Sequence, residues 1–306
     1  MENLLERLPE GARVTVIRLR SLGDCVLSTP ALHLLKRYRP DLRLGVVVED
    51  AFAPVFNANP DIEQILAPTI SSVAGYRADL CLNLHGGTRS LQLTAASRAR
   101  FRAGFAHFRF QTAYNVRIPT AQQILGVTRV VHTAEHVASA MFYLGVPQTE
   151  ITRARLFPQA AGSTPARPYA VIHPKASAQD KTWPADRFLK LAAYLDREFG
   201  LQPVFIAGPG ENLEEFGAYS CRLGSPLEEI KTLLSGASFF AGNDSGPAHM
   251  AAAFGLPMVV FFGSSDPAIW APWRTSARVL TAPDGIACIE EAAAFAAAGQ
   301  VLPVKA

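Results

Sequence analysis

The chain has 306 residues, of which 49% are hydrophobic and 18% charged, and its formal net charge at pH 7 is +3. This length and composition predict an ordinary globular protein of about two domains. They exclude a membrane-spanning helix, because the longest uncharged apolar stretch, residues 250–263, is shorter than the roughly 20 residues that a bilayer requires.

The amino terminus and the cysteines indicate the cellular compartment and the kinds of site to expect. Residues 1–10 carry four charged side chains and no apolar run of the kind found in a secretion signal, so we expect a cytoplasmic protein. The four cysteines form no Cys-x-x-Cys pair, which argues against a zinc site and against a disulfide framework.

The first half of the chain alternates strand and helix patterns. Residues 14–19 form a β-branched apolar run, and residues 29–38 have helical spacing. Further strands are predicted at 44–48, 64–66 and 79–84, and further helices near 51–57, 88–98 and 133–144. This alternation predicts a parallel sheet covered on both faces, in an N-terminal domain of residues 1–150.

A proline-rich connection, residues 151–168, leads to a second domain of the same kind at residues 169–306. Its strands are predicted at 169–173, 203–207, 238–242, 258–262 and 278–281. After Pro184, a helix places four apolar side chains on one face: Phe188, Leu191, Ala192 and Leu195. We expect two doubly wound α/β domains whose strand ends face a central cleft, with a final helix that could pack back on the first domain.

The loop after the first strand carries the candidate base. Gly23 permits a tight turn there, and Asp24 would then project into the cleft. The alternative, that Asp24 only caps the following helix, has equal weight on local sequence.

Three loops of the second domain could bind an anion. Lys181 lies near a predicted helix start, where a lysine opposes the helix dipole unless an anion compensates it. Ser245 and Gly246 precede an Ala-rich helix whose first N–H groups suit phosphate oxygens. Gly263 follows the next strand. The alternatives are an N-cap for Asp244, a core histidine for His249 and a plain turn at Gly263.

Arginines are concentrated in one part of the first half. Residues 1–150 hold 16 Arg and Lys against 12 Asp and Glu, and no acidic residue occurs between Asp79 and Glu135. Seven arginines lie in that stretch: Arg89, Arg98, Arg100, Arg102, Arg109, Arg117 and Arg129. They suit an acceptor with carboxylates or phosphates, or an anionic membrane face, and nucleic acid is disfavoured because no recognition motif accompanies them.

Four motifs in this order resemble the bacterial ADP-heptose:lipopolysaccharide heptosyltransferase family. They are Arg-Leu-x-Ser-Leu-Gly-Asp at residues 18–24, His-Pro followed by Lys-x-Trp-Pro at 173–184, Asp-Ser-Gly-Pro-x-His at 244–249 and Phe-Gly-x-Ser-Asp-Pro at 262–267. Lys175 and Ser264 depart from the pattern, because glycine and proline are common there. The resemblance implies a GT-B fold, with the acceptor bound by the first domain and the nucleotide-sugar donor by the second.

The resemblance also implies residue roles. Asp24 is the expected catalytic base, and Lys181 stabilises the departing diphosphate. The predicted donor-binding residues are Ser177, Lys181, Asp244, Ser245, Gly246, Pro247, His249 and Gly263. The predicted acceptor-binding residues are Arg18, Arg20, Ser21, Gly23, Arg89, Arg109 and Arg117.

The expected reaction is inverting transfer of a heptose-like sugar from ADP-heptose, or a related nucleotide sugar, to an acidic lipid-linked glycan such as the lipopolysaccharide core. No Asp-x-Asp pair is present to hold a metal against a diphosphate, so neither metal nor other cofactor is expected. Peripheral contact with the cytoplasmic face of the inner membrane is compatible with the arginines. The alternatives are a transferase for another nucleotide sugar, a non-hydrolysing sugar-nucleotide epimerase and a non-catalytic sugar-nucleotide-binding protein.

Overall fold

The computed structural model describes residues 3–108, 111–159 and 164–302. The chain divides into two compact units, Met1–Phe157 and Pro158–Ala306. Residues 151–157, predicted as part of the connection, belong to the first unit. The backbone N–H of Arg155 donates to the hydroxyl of Thr29 at 2.9 Å, which ties this stretch to the first unit's own helix layer.

The first unit is built on a six-stranded parallel sheet. Its strands are β1 (Arg13–Ile17), β2 (Arg43–Val47), β3 (Gln64–Leu66), β4 (Leu80–Asn83), β5 (Phe101–Phe105) and β6 (Val116–Ile118), in the spatial order β3-β2-β1-β4-β5-β6. Central β1 is paired on both sides, with Val16 opposite Val46 of β2 and Leu82 of β4.

Five helices cover this sheet: α1 (Leu22–Tyr38), α2 (Ile70–Tyr76), α3 (Thr88–Ala96), α4 (Ala121–Leu125) and α5 (Thr133–Leu144). Helices α1 and α5 pack together, while Val73 of α2 and Leu93 of α3 join Ile17 in a separate buried cluster. The helix predicted near residues 51–57 is instead a 3₁₀ turn, Asp50–Val55, with Pro54 inside it. Proline cannot donate an α-helical hydrogen bond, which explains the tighter turn.

The second unit repeats the architecture. Its strands are β7 (Tyr169–His173), β8 (Gln202–Ala207), β9 (Ser220–Leu223), β10 (Phe239–Asn243), β11 (Met258–Phe261) and β12 (Ala277–Leu280), in the order β12-β11-β10-β7-β8-β9. Every residue of β7 is buried, so both faces of the sheet are covered.

The helices of the second unit are α6 (Ala185–Phe199), α7 (Leu227–Ser235), α8 (Gly246–Phe254), α9 (Pro267–Trp270) and α10 (Glu291–Val301). The predicted apolar face of α6 is confirmed, because all four of its apolar side chains are fully buried. Helix α10 packs against α6 and β12, within the second unit.

Each sheet has the 3-2-1-4-5-6 strand order of a doubly wound fold when its strands are numbered within its own unit. The predicted α/β class is therefore confirmed for both units. In this order the strand connections reverse direction between the first and fourth strands, namely β1 and β4 in one unit and β7 and β10 in the other. Ligands of such sheets bind beyond the carboxyl ends of these two strands.

Candidate active site

The sequence-predicted loops lie at these switch points. In the first unit, residues 18–24 follow β1 and residues 84–87 follow β4. In the second unit, residues 174–183 follow β7. Residues 244–245 connect β10 to α8, which begins at Gly246. We call these two groups the first-unit site and the second-unit site.

Asp24 lies in the first turn of α1, not on the loop that was predicted, because α1 already begins at Leu22. Its Oδ2 accepts hydrogen bonds from the Ser21 hydroxyl at 3.0 Å and from the Ser21 N–H at 3.4 Å. The side chain is 25% exposed. Ser21 is therefore the N-cap of α1 and Asp24 its partner in a capping box, while the Asp24 carboxylate still reaches solvent.

Arg18 holds the other oxygen of this carboxylate. Its Nη2 pairs with Oδ1 of Asp24, its Nε donates to the Asp24 carbonyl at 3.3 Å, and its Nη1 donates to the carbonyl of Leu84 at 2.5 Å. The guanidinium thus joins the two loops of the switch point and is itself buried. Arg18, which was predicted to bind the acceptor, is thus placed to orient Asp24. Of the other predicted acceptor residues on this loop, Arg20 and Ser21 are exposed and Gly23 is buried.

The sequence did not point to three histidines here: His85 and His136, which feel the charges of Arg18 and Asp24, and His107, which lies beside His136. Burial lowers the pKa of His85, and the charge of Arg18 acts in the same direction. Burial, followed by the charges of His107 and Arg18, lowers the pKa of His136 to about 4. The ring of His136 stacks on Phe105, with 4.2 Å between ring centroids, and burial lowers the pKa of His107. The lowered pKa values favour the neutral imidazoles, and the charge of Arg18 contributes to this shift at His85 and His136.

The arginines of the acid-free stretch do not form one surface. Arg89 pairs with Glu49 at 3.0 Å beside the first-unit site, and Arg117 is exposed on edge strand β6. Arg100 stacks on Phe101 at the amino end of β5, whereas Asp24 follows the carboxyl end of the parallel strand β1. Arg129 pairs with Glu135. Arg109 lies outside the described residues.

The second-unit site is centred on the N-terminus of α8. Ser245 is the N-cap in extended conformation, and Pro247 lies in the first turn, where its missing N–H costs nothing. Nδ1 of the buried His173 lies 3.1 Å from the Ser245 hydroxyl. The first N–H groups of this nine-residue helix and the Ser245 hydroxyl together suit an anion.

Lys181 supplies the positive charge of this site. Among the residues that the structure describes, the other lysines are all engaged, with Leu42 O, Glu215, Glu291 and Glu228 as partners of Lys36, Lys175, Lys190 and Lys231. Within the same described part, the ammonium of Lys181 forms no ion pair or hydrogen bond, although its charge acts on Asp244. Burial raises the pKa of Asp244, and the side chain of Ser265 and the charge of Lys181 oppose that shift.

The remaining predicted donor residues differ in their settings. Ser177 is exposed on the loop before Lys181, and His249 is buried on α8 near Trp270. Gly263 lies against the turn that carries Lys181, since a Cβ at Gly263 would be 1.8 Å from the carbonyl oxygen of Asp180. Lys175, the departure from the family pattern, pairs with Glu215 at 3.2 Å and lies over the ring of Phe216.

Replacing His173 should flatten the pH dependence of stability. Burial lowers the pKa of His173 to about 4, from an unfolded value of 6.5. Between these values the unfolded chain binds a proton that the folded chain does not, so stability falls as the pH falls. We expect His173→Gln, which keeps a partner for Ser245, to remove about 2–3 kcal/mol of the loss between pH 6.5 and 4. Urea unfolding midpoints at several pH values measure this, and an unchanged slope would contradict it.

No helix within the described residues is long and apolar enough to cross a bilayer. Over the same ranges, no group of three or more His, Cys, Asp and Glu side chains is placed to hold a metal ion.

Comparison with known proteins identifies the family. Residues 69–296 match the model of glycosyltransferase family 9, the heptosyltransferase family. The match covers more than half of the chain, so the chain belongs to this family and is a glycosyltransferase.

Similar proteins have much the same length. Lipopolysaccharide heptosyltransferase 3 of Escherichia coli is 25% identical, over 84% of this chain and 85% of that protein. Lipopolysaccharide heptosyltransferase 1 of Salmonella typhimurium is 26% identical, over 84% of this chain and 90% of that protein.

Solved structures share the fold. A family 9 glycosyl transferase from Veillonella parvula has a TM-score of 0.83 at 22% identity, covering 95% of this chain and 97% of that one. The E. coli ADP-heptose lps heptosyltransferase II has a TM-score of 0.79 at 19% identity, and the match covers 94% of this chain and 98% of that one. The GT-B type of α/β fold that the resemblance implied is thereby confirmed.

Proposed function

We propose that the chain is an inverting, metal-independent heptosyltransferase, which moves a heptose-like sugar from ADP-heptose to an anionic, lipid-linked glycan such as the lipopolysaccharide core. One observation carries the proposal: a partly exposed carboxylate lies at the switch point of one unit, and an unpaired lysine beside a helix N-terminus lies at that of the other. The named relatives, which include lipopolysaccharide heptosyltransferases, support the sugar and the acceptor class.

Asp24 is the proposed general base. Glycosyl transfer requires removal of the proton from the attacking hydroxyl while the sugar becomes oxocarbenium-like. Arg18 and Ser21 fix the carboxylate from two sides, which reduces the reorganisation needed when the acceptor binds. The neutral His85 beside this pair can exchange hydrogen bonds with sugar hydroxyls without adding a second positive charge.

Lys181 and the N-terminus of α8 are the proposed stabilisers of the departing diphosphate. Negative charge grows on the leaving group in the transition state, and an ammonium together with preorganised N–H donors stabilises it. Ser245 and Gly246 bring the donors, and Lys181 brings the full charge. In an inverting displacement the base and the leaving group act on opposite faces of the sugar, so the two functions belong to two separate groups of residues.

The acceptor is proposed to be acidic. Arg20 is exposed two residues from the Arg18 anchor, and Arg89 presents a 56% exposed side chain above Glu49. Guanidinium groups bind carboxylates and phosphates through two parallel hydrogen bonds, which suits the acidic sugars of an inner core. Peripheral contact with the inner membrane through further arginines is part of the same proposal.

Transfer should persist when divalent metals are removed. Since Lys181 and the α8 N–H groups stabilise the diphosphate in this proposal, excess EDTA should change the initial rate by less than about twofold. The measurement is ADP release with and without chelator, after dialysis of the protein. Loss of activity in EDTA that added Mg²⁺ or Mn²⁺ restores would refute metal independence.

Product analysis with labelled ADP-heptose tests the function itself. A transferase places the label on the glycan acceptor and releases ADP only when acceptor is present. An epimerase would return labelled sugar of altered configuration without acceptor, and a binding protein would leave the donor unchanged.

A further inference from the structure

Asn243, the last residue of β10, is a fully buried amide whose two ends are both bonded to one loop. Its Oδ1 accepts a hydrogen bond from the Trp183 N–H at 3.0 Å, and its Nδ2 donates to the Pro174 carbonyl at 3.0 Å. Pro174 begins the loop after β7, and Trp183 ends it. A single side chain therefore closes the loop that carries Lys181.

Hydrogen bonds within the loop also fix its conformation. Residues 179–181 form a 3₁₀ turn in which the Lys181 N–H donates to the Ala178 carbonyl at 3.1 Å. The Thr182 hydroxyl donates to the same carbonyl at 2.8 Å. The backbone of Lys181 is thus fixed relative to the two residues that Asn243 holds.

The far side of the turn lies against Gly263. The space for a side chain at this position is filled by the Asp180 carbonyl and the Lys181 Cα, which lie 1.8 Å and 3.0 Å from an ideal Cβ. Trp183 anchors the end of the loop, because its ring stacks on Phe261 with 4.0 Å between centroids and its Nε1 donates to the Ile289 carbonyl at 2.8 Å. The turn is held between the end of β10 and the loop after β11.

We propose that Asn243 is a positioning residue, which places the Lys181 ammonium at the N-terminus of α8 so that both can bind the donor diphosphate, while Gly263 leaves room for the turn. The inference rests on the proposed function, since it takes the anion at this site to be a nucleotide diphosphate. Asn243 adjoins Asp244 and Ser245 in sequence, so one residue sets the distance between the lysine loop and the helix N-terminus.

The side-chain chemistry explains why asparagine suits this position. The loop presents one N–H and one carbonyl to the buried amide, so the residue must accept and donate at once. Aspartate would keep the bond from Trp183 but face the Pro174 carbonyl with an oxygen. Alanine would leave both backbone groups buried without a partner.

A double-mutant cycle on ADP affinity tests the inference. We expect Lys181→Ala to raise the Kd for ADP by about 10- to 100-fold, and Asn243→Ala to raise it by about tenfold. If Asn243 acts through Lys181, then adding Asn243→Ala to Lys181→Ala should raise the Kd further by less than about twofold. Calorimetric titration of the four proteins with ADP measures all these effects.

Asn83 provides a matched control. It is the corresponding last residue of β4 in the first unit, is fully buried, and accepts from the N–H groups of His85 and Gly86 at 3.0 Å. Asn83→Ala should destabilise its unit by a similar mechanism while leaving the Kd for ADP within about twofold. Asn243→Ser, a smaller neutral side chain whose hydroxyl can both donate and accept, provides a second variant if Asn243→Ala folds poorly, and its loss of ADP affinity should show the same dependence on Lys181.

The outcomes separate the two proposals. If the native chain does not bind ADP, or if Lys181→Ala binds it as well as the native chain, both the proposed donor site and the positioning inference are overturned. If Lys181 matters but the Asn243 effect is equal with and without it, only the positioning inference fails. An equal loss of ADP affinity in Asn83→Ala would likewise reduce Asn243 to a general contribution to folding.

Discussion

Asp24→Asn should lower kcat for sugar transfer by about 10²- to 10⁴-fold, because the variant keeps the shape of the side chain and loses the group that accepts the proton. The Kd for the nucleotide sugar should stay within about twofold, since the proposed donor groups belong to the other unit. Steady-state kinetics with saturating donor, together with a separate donor titration, measures the two effects.

The control for Asp24 is another aspartate that is paired with an arginine. Asp41 has the same side-chain exposure, 25%, and pairs with Arg39, but it precedes β2 and so lies at the amino end of the sheet. Asp41→Asn should leave kcat within about twofold, even if it lowers stability. Equal kcat values for Asp24→Asn and the native enzyme would remove Asp24 from the mechanism, while equal losses in both variants would indicate damage to the fold.

Lys181→Ala should reduce kcat/KM by about 10²- to 10³-fold, because a charged group that contacts the diphosphate contributes to both donor binding and departure of the leaving group. The charge of Lys181 favours the ionised form of Asp244, but no described carboxylate lies within ion-pair distance of its ammonium. We therefore expect little change in the midpoint of thermal unfolding. The measurement is kcat/KM for the donor at fixed acceptor concentration.

Lys190 is the matched lysine in the same unit. It lies on α6, is 52% exposed and pairs with Glu291 at 2.8 Å, away from β7 and β10. Lys190→Ala should leave kcat/KM within about twofold, because exposed ion pairs contribute little. A Lys181→Ala variant that behaved like Lys190→Ala would show that the site does not bind the diphosphate through this lysine.

Hydrophobic patterning predicted most of the strands that are buried on both faces, with β5 as an exception. The strand predicted at residues 169–173 and the helix predicted at 133–144 have the bounds found in the structure. The edge strands β3 and β12 were predicted, whereas β5 and the edge strands β6 and β9 were missed, the last two for a physical reason. Ser220–Leu223 is half exposed, so it lacks a continuous apolar run, and Val116–Ile118 places the exposed Arg117 between two apolar residues.

The candidate site was predictable in its loops but not in its contacts. Motif positions placed Asp24, Lys181 and Ser245 at strand ends, and strand order then located them at the switch points. That Arg18 orients Asp24 depends on the Leu84 carbonyl, 66 residues further along the chain, so no local pattern reveals it. His85 could have been suspected, because it follows a predicted strand and precedes Gly86 and Gly87.

The arginine-rich stretch shows the limit of composition as evidence. Its residues are close in sequence, but Arg100 lies over the ring of Phe101, Arg102 donates to the backbone carbonyls of Ala99 and Ala113, and Arg117 is exposed on β6. A run of positive charge in sequence therefore becomes several separate environments in the fold. Of the described arginines in this stretch, Arg89 lies beside the first-unit site.

The proposed function is tested most directly by the structure of the product formed from ADP-heptose and a lipid acceptor with acidic sugars, in the presence of EDTA. We expect one new glycosidic bond, release of one ADP for each sugar transferred, and an anomeric configuration opposite to that in the donor, which nuclear magnetic resonance of the product can establish. Transfer with the configuration retained, or consumption of the donor without any new bond to the acceptor, would contradict it.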